Sequence, residues 1–191
     1  MVRGSDNTWG SSDMKKSLLK CGAAALVVLV VGVGGAVGFI YSGIYDFRAT
    51  EPHWPIVAWA LHKTYDSGLD SRAEDIPIPG NLETAANVQA GAKFYAAHCI
   101  FCHGEPGKPL NPIGKGINPP APFLLKPTRH NRPNEMYYVA KYGVKMTAMP
   151  AFGKSFPDDV LWQVAAFLHA KRGISPADYA ALTTAPAQTG K

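Results

Sequence analysis

Two cysteines three residues apart, followed directly by a histidine, constrain this 191-residue chain more than any other feature. They lie in the run Cys99-Ile100-Phe101-Cys102-His103. Each thiol can add to one vinyl group of haem as a thioether, and the adjoining imidazole can then bind the iron as its proximal ligand. The spacing therefore predicts one covalently attached haem c held by Cys99, Cys102 and His103. A zinc site would need a second Cys/His pair, and a thioredoxin-like redox pair would need a βαβ pattern, which the sequence lacks.

A long uncharged run near the N-terminus predicts a membrane anchor. Residues 21–45 carry no Asp, Glu, Lys, Arg or His, and as a helix they would span about 38 Å, more than a hydrocarbon core of about 30 Å. A cleaved signal peptide is the alternative, but the run is longer than an ordinary signal core and no clear A-x-A site closes it. Lys15, Lys16 and Lys20 flank its start, so the positive-inside rule assigns residues 1–20 to a cytoplasmic tail. The haem motif would then face the periplasm of a bacterium, tethered by a single pass through the inner membrane.

A pair of small residues lies inside this run. Gly34 and Gly38 form a G-x-x-x-G pair, which is either ordinary small-residue content or a close-packing face for another transmembrane helix. Because the run holds no ionisable side chain other than a thiol and tyrosines, it offers no ligand for a second haem and no proton path. Residues 1–14 are polar and are predicted to be disordered.

Residues 46–81 are interpreted as a membrane-proximal segment and linker. Pro55 is placed to start a helix, and the flanking Trp54 and Trp59 suit the headgroup region of a bilayer. We interpret this helix as an interfacial helix or as a docking surface for a partner subunit. Residues 75–80 then indicate an extended linker into the haem domain.

The haem domain is predicted to cover residues 82–175. A helix capped by Thr84 or Asn87 should run into the cysteine motif. Gly91 on that helix would let another helix cross closely, which offsets the poor helix propensity of glycine.

The rest of the domain carries weaker signals. Ser155 and Asp158 resemble a capping box at the start of the last clear helix. In chain order the predictions are an irregular Pro- and Gly-rich loop over 104–127, a helix over 133–142, a helix over 156–172 and a tail over 176–191, loose from about residue 183.

A methionine after the helix predicted over 133–142 is the candidate distal ligand. Met149 follows His103 by 46 residues and precedes Pro150, which stiffens its loop. A thioether is a soft ligand that favours ferrous iron and raises the reduction potential. Met146 is the competitor on the same loop. His98 and His169 are expected to have structural or surface roles instead.

With these residues in place, residues 82–173 resemble the class I cytochrome c domain. The shared features are Gly91 ahead of the cysteine motif, the run Met149-Pro150-Ala151-Phe152, and a closing helix that carries Trp162 and Phe167. The resemblance implies a mostly α-helical fold in which the first and last helices cross near Gly91, with axial ligation by His103 and Met149. It also implies that a proline carbonyl accepts the Nδ1 proton of the haem histidine, and Pro120 or Pro122 could serve.

Filling both axial positions with protein leaves one-electron transfer as the expected function. We predict a membrane-anchored monohaem cytochrome c that carries electrons between periplasm-facing redox partners, or the cytochrome c subunit of a membrane oxidoreductase, and not an enzyme with a small-molecule substrate. The alternative is a haem enzyme or gas sensor in which Met149 is displaceable. The sequence has no Arg/Lys block or zinc-finger spacing of the kind that binds nucleic acid.

Charge suggests what kind of partner would dock. Between Gly91 and Lys154 there are nine Lys/Arg and two Glu. This excess is either an ordinary solvated surface or a ring around the haem edge that steers an acidic partner. Lys141 and Lys145 are the candidate steering charges.

Overall fold

The computed structural model describes the backbone of residues 9–186 and the side chains of residues 13–186. The described residues are mostly helical and contain no strand, which confirms the predicted fold class. The chain divides between Phe47 and Arg48 into two compact units. In chain order the helices are α1 Trp9–Tyr41, α2 Pro55–Ala73, α3 Ala85–His98, α4 Ile100–His103, α5 Pro112–Lys115, α6 Pro133–Tyr142, α7 Asp158–Ala170 and α8 Pro176–Thr184.

The first unit is dominated by α1, in which Asp13–Tyr41 is long and apolar enough to cross a membrane. The helix ends four residues before the predicted end of the 21–45 run. Ser42 caps it, since its hydroxyl donates to the carbonyl of Phe39 at 2.7 Å, and Gly43 then turns the chain at φ +68°. At the other end the helix begins at Trp9, so the disorder predicted for residues 1–14 is wrong from residue 9 onward. Residues 1–8 lie outside the described residues.

In the second unit, α2 begins at Pro55 as predicted and packs against α6. The carboxamide of Asn134 donates to the carbonyl of Ala73 at 2.8 Å, and Arg132 pairs with Asp70 at 3.2 Å. Ile76 packs against the side chains between α6 and α7. The segment predicted as a linker therefore follows a helix that is fixed to the haem domain.

The core of the second unit lies where α3 crosses α7. Gly91 is buried at the crossing, and a Cβ there would overlap the carbonyl of Gln163 and lie 2.9 Å from the Cβ of Phe167. Only glycine permits this approach, so the predicted crossing is confirmed. Thr84 caps α3 by accepting a hydrogen bond from the amide of Asn87 at 3.2 Å.

Two predictions about the C-terminal part are wrong. The capping box at Ser155 does not form, because Pro157 occupies the N-cap position of α7 and Asp158 is already helical. Residues 176–184, predicted as part of a tail, form α8, which packs on α3 with Tyr179 only 4% exposed. Two local features favour the start of α8 at this position. Ser175 caps the helix by accepting a hydrogen bond from the backbone amide of Asp178, and a proline follows at the first helical position. The last part of the predicted tail, residues 187–191, lies outside the described residues.

Candidate haem site

The cysteine motif occupies a single helical turn directly after α3. The carbonyl of Cys99 accepts the amide protons of both Cys102 at 3.2 Å and His103 at 2.9 Å. Both cysteines are half-buried and free of disulfide bonds, and His103 is buried. The fold thus brings the two thiols and the imidazole onto one short turn at the edge of the core.

One nitrogen of the His103 ring is already engaged by the protein. Nδ1 donates to the carbonyl of Pro122 at 2.8 Å, which decides between the two prolines that the sequence left open. Burial lowers the pKa of His103, the Pro122 carbonyl acts in the opposite direction, and the charge of Arg129 adds to the lowering. A neutral imidazole with Nδ1 committed in this way presents Nε2 to a metal.

The backbone after the motif is held from both sides. Gly104 turns the chain at φ +74°, and its carbonyl accepts a hydrogen bond from the buried Tyr95 hydroxyl at 2.7 Å. Its missing side chain leaves room for the ring of Phe123, which lies 3.2 Å from the position of a Cβ. Tyr95 and Phe123 therefore fix the residue next to His103.

The electrostatics of Cys99 argue against a redox-active dithiol. Burial, with a smaller contribution from the neighbouring Cys102, raises the pKa of the Cys99 thiol to about 12. A thioredoxin-like pair needs a depressed thiol pKa, so that the thiolate is populated. These cysteines suit covalent attachment better than thiol–disulfide exchange.

The loop with Met149 is tied to the end of α6. The carbonyl of Met149 accepts from the amide of Val144 at 3.2 Å, and its amide donates to the Thr147 hydroxyl at 3.1 Å. The same hydroxyl donates to the carbonyl of Val144 at 2.8 Å. At Gly143, φ is +67° and a Cβ would lie 2.8 Å from the Met149 carbonyl, so only glycine fits there. The sequence reasoning missed Thr147, whose signal is a hydroxyl two residues before the candidate ligand.

The two methionines of this loop differ in their surroundings. Met149 is half-buried, whereas Met146 is 75% exposed and has a left-handed backbone with φ +60°. A thioether turned to solvent is a poor candidate for a buried iron ligand. The burial favours Met149 over its competitor.

Other histidines are engaged elsewhere. The ring of His98 lies 4.4 Å from that of Phe94. His169 donates from Nδ1 to the carbonyl of Asn131 at 3.1 Å, and its Nε2 lies 3.4 Å from a carboxylate oxygen of Glu83. Among residues 13–186 no group of three or more His, Cys, Asp or Glu is placed to hold a metal ion.

Lys141, expected from the sequence to be a steering charge, is instead part of the contact between α6 and α7. Its ammonium group lies 2.8 Å from the carboxylate of Asp158 and donates to the Tyr137 hydroxyl at 2.9 Å. These two partners hold the pKa of Lys141 above its ordinary value. The ring of Tyr137 stacks on Trp162 with centroids 4.1 Å apart.

The donor set fits haem c. It combines the thiols of Cys99 and Cys102 on one turn, the neutral imidazole of His103 oriented through Nδ1, and the half-buried thioether of Met149 on a fixed loop. These are the groups that attach a c-type haem and fill its two axial positions.

Comparison with known proteins gives the same class of domain. Residues 86–168 match the family described as Cytochrome C oxidase, cbb3-type, subunit III. A quinohemoprotein alcohol dehydrogenase ADH-IIG of Pseudomonas putida is 26% identical over 145 residues, covering 74% of this chain and 19% of its own length. A quinohemoprotein alcohol dehydrogenase of Comamonas testosteroni is 30% identical over 139 residues, covering 70% of this chain and 18% of its own length.

The chain therefore spans about a fifth of the length of the curated relatives it matches. No solved structure matches it significantly. The helical fold, the cysteine motif with its oriented histidine, and the match over residues 86–168 together identify this part of the chain as a class I c-type cytochrome domain, a class of domain that implies haem c.

Proposed function

We propose that this chain is a membrane-anchored monohaem cytochrome c that moves single electrons between periplasm-facing redox partners. It acts either as a free carrier or as the cytochrome c subunit of a membrane oxidoreductase. One haem is attached through thioethers to Cys99 and Cys102, with His103 and Met149 as axial ligands. When bound, haem c supplies a one-electron Fe(III)/Fe(II) couple.

The observation that carries this proposal is the hydrogen bond from His103 Nδ1 to the Pro122 carbonyl. It fixes the ring orientation and increases the electron donation of the other nitrogen. The tied loop that carries Met149 supports a second protein ligand that is held rather than displaceable. An iron with both positions filled does not readily bind a substrate, so outer-sphere electron transfer is the chemistry that the residues support.

The proposed placement relative to the membrane rests on α1. Retention of α1 as an anchor, with residues 1–20 on the cytoplasmic side and the apolar part after Lys20 in the bilayer, would keep the haem domain near membrane partners without tight binding. The region following Tyr41 through residue 81 is the membrane-proximal part, and the haem domain extends from residue 82 through α8. In this chain nothing lies within 4 Å of a Cβ at Gly34 or Gly38, so this pair is open to a partner helix.

The relatives bear on the partner. The matched family is named for a subunit of an oxidase, and both relatives are named as alcohol dehydrogenases with a quinone and a haem cofactor. We therefore propose a membrane dehydrogenase or oxidase as the complex that this chain serves.

The first test is the visible absorption spectrum of the purified, full-length haem protein, reduced, with and without carbon monoxide. A c-type spectrum that does not change on adding the gas is expected from a closed His103/Met149 site. Met149→Ala is the matched control, because it should open the iron and produce a shift. A shift in the unmodified protein would instead favour the haem enzyme or gas sensor.

The second test concerns the anchor. We expect the full-length protein to remain with the membrane fraction after alkaline washing, and intact mass to include α1. A soluble product whose mass lacks α1 would mean that the helix is a signal peptide and would overturn the anchored form.

A further inference from the structure

We propose that Asn131 is a positioning residue for the haem histidine. It fixes the segment that follows Pro122 to α7, and it thereby strengthens the hydrogen bond that the Pro122 carbonyl accepts from His103. This inference rests on the proposed role of His103 as an iron ligand. It concerns a side chain whose hydrogen bonds in the described structure go to Leu124, Leu168 and Arg129 and not to His103 or the cysteine motif.

Asn131 is buried, and its carboxamide makes three hydrogen bonds. It is 4% exposed and adopts φ +44°, a left-handed conformation that asparagine tolerates better than most residues. Its Nδ2 donates to the carbonyl of Leu124 at 2.7 Å and to the carbonyl of Leu168 at 2.9 Å. One amide group thus joins the segment after Pro122 to the last turn of α7.

The acceptor side of the same carboxamide is also used. Arg129 Nε donates to Asn131 Oδ1 at 3.1 Å, which orients the amide so that its two hydrogens face the two carbonyls. All three hydrogen bonds depend on the carboxamide and not on the backbone of Asn131.

A second row of contacts reinforces this junction. Arg172 donates to the carbonyl of His130 at 2.8 Å and to that of Arg129 at 3.2 Å. The amide of Gly173 donates to the carbonyl of Leu125 at 2.8 Å, and Leu125 is only 2% exposed. The segment is therefore joined to the end of α7 at several points, and Asn131 supplies the buried side chain among the donors.

The link to His103 is short along the chain. Leu124, held by Asn131, is two residues after Pro122, and Phe123 between them packs on Gly104 next to the histidine. Pro122 itself has no amide hydrogen with which to anchor its own position. The direction of its carbonyl thus depends on the residues that follow it.

Loosening this segment should weaken the hold on the Nδ1 proton. The imidazole would donate less electron density to iron, ferric iron would lose stabilisation, and the reduction potential would rise. A purely structural role would lower stability without this specific change.

The test is Asn131→Gly in the full-length haem protein. Glycine keeps the left-handed backbone accessible and adds no charge, so only the carboxamide is lost. We expect hydrogen exchange of the His103 Nδ1 proton, followed by NMR in the reduced protein, to be at least about fivefold faster. The midpoint potential should move to a more positive value.

Asn134→Ala is the matched control. Asn134 also donates a carboxamide hydrogen to a backbone carbonyl, that of Ala73 at 2.8 Å, but at the contact between α2 and α6. It should lower stability by a similar amount and leave both the Nδ1 exchange and the potential unchanged. Equal changes in the two variants would overturn the proposal.

Arg172→Lys provides a second variant in case Asn131→Gly does not fold. Arg172 is exposed, and lysine keeps its charge while losing the paired hydrogen bonds to the carbonyls. A smaller change of the same sign is expected. An unchanged Nδ1 exchange in Asn131→Gly, or in Arg172→Lys where Asn131→Gly does not fold, would contradict the proposal. If the unmodified protein showed no histidine-ligated haem at all, the proposed function would fail instead, which separates the two failures.

Discussion

The neutral state of His103 and the choice of its free nitrogen are both set by residues distant in the sequence. Burial in the core disfavours the imidazolium, and the carbonyl of Pro122 accepts the hydrogen bond that Nδ1–H donates. The fold itself thus leaves Nε2 as the ring nitrogen available to a metal. Tyr95 also contributes, because its hydroxyl donates to the carbonyl of Gly104, the residue directly after His103.

Thr147 offers a test of how firmly the Met149 loop is held. Thr147→Val keeps the side-chain shape but removes the hydroxyl that accepts from the Met149 amide and donates to the Val144 carbonyl. With two hydrogen bonds lost, we expect Met149 to be displaced more easily and the affinity of the reduced protein for carbon monoxide to rise by about tenfold. The measurement is a carbon monoxide titration followed by absorption.

Thr64→Val is the control for this change. Thr64 donates its hydroxyl to the carbonyl of Ala60 at 2.7 Å on α2, so the same group is removed away from the loop. It should leave the titration unchanged. An unaltered affinity in Thr147→Val would mean that the loop is fixed by Gly143 and the backbone alone.

The single-residue predictions came from the sequence where the chemistry is local. The cysteine spacing and the proline-flanked Met149 are read from neighbours along the chain. Asn131 was not predictable, because its partners Leu124 and Leu168 lie on either side of it in the sequence and meet only in the fold. For Pro122, the sequence narrowed the choice to two prolines, and only the folded loop distinguishes them.

At the scale of helices, the sequence pattern predicted α6 at its observed bounds, from Pro133 at its start and Gly143 as its stop, and it predicted the crossing from Gly91. It missed α8, whose nine residues carry a weak apolar pattern among Ala and Thr. The helix is stabilised by one aromatic side chain, since Tyr179 packs against the rings of Tyr95 and Phe167. Short helices held by a single large side chain leave little periodic signal to detect.

Replacement by phenylalanine is predicted to change the free energy of unfolding differently at Tyr179 and at Tyr95. Within the part of the chain that the structure describes, the buried hydroxyl of Tyr179 has no hydrogen-bond partner, whereas that of Tyr95 donates to Gly104. Tyr179→Phe should therefore leave the free energy of unfolding unchanged or raise it by about 1 kcal/mol. Tyr95→Phe should lower it by about 1–2 kcal/mol, because the Gly104 carbonyl loses its donor.

Chemical denaturation of the haem protein measures both changes. Tyr179→Ala should cost about 3 kcal/mol or more through the cavity left between α3 and α8, which verifies that the helix is part of the domain. A Tyr179→Phe variant as destabilised as Tyr95→Phe would show that the Tyr179 hydroxyl has a partner, such as an ordered water.

At the scale of the molecule, residues from Arg48 onward form one compact unit. The side-chain amide of Asn118 donates to the carbonyl of Glu51 at 2.8 Å, so even the segment before α2 contacts the loop near Pro122. The sequence suggested a linker at 75–80 because prolines and a glycine punctuate it. Composition could not reveal the contacts just before this segment. There Asp70 pairs with Arg132, and the carbonyl of Ala73 accepts a hydrogen bond from Asn134 at the start of α6.

Charge is the property of the whole molecule that bears on its partner, and the structure changes which lysines should be tested. Lys141 is committed to Asp158, whereas Lys145 and Lys154 are exposed and flank the Met149 loop. If these two lysines steer docking, they should also steer small redox ions. Lys145→Glu and Lys154→Glu each lower the formal charge by two, from +5 to +3.

We expect each variant to be oxidised about two- to fivefold more slowly by ferricyanide at an ionic strength of about 10 mM, because local attraction for the anion is lost. The cationic oxidant tris(phenanthroline)cobalt(III) should react faster with the same variants, and both differences should shrink at high salt. Lys63→Glu, on the exposed side of α2, has the same net charge and serves as the control. Stopped-flow rates that depend only on net charge, with Lys63→Glu equal to the other two, would mean that the lysines beside Met149 have no special position at the haem edge. The interpretation that these lysines steer an acidic partner to the haem edge would then be contradicted.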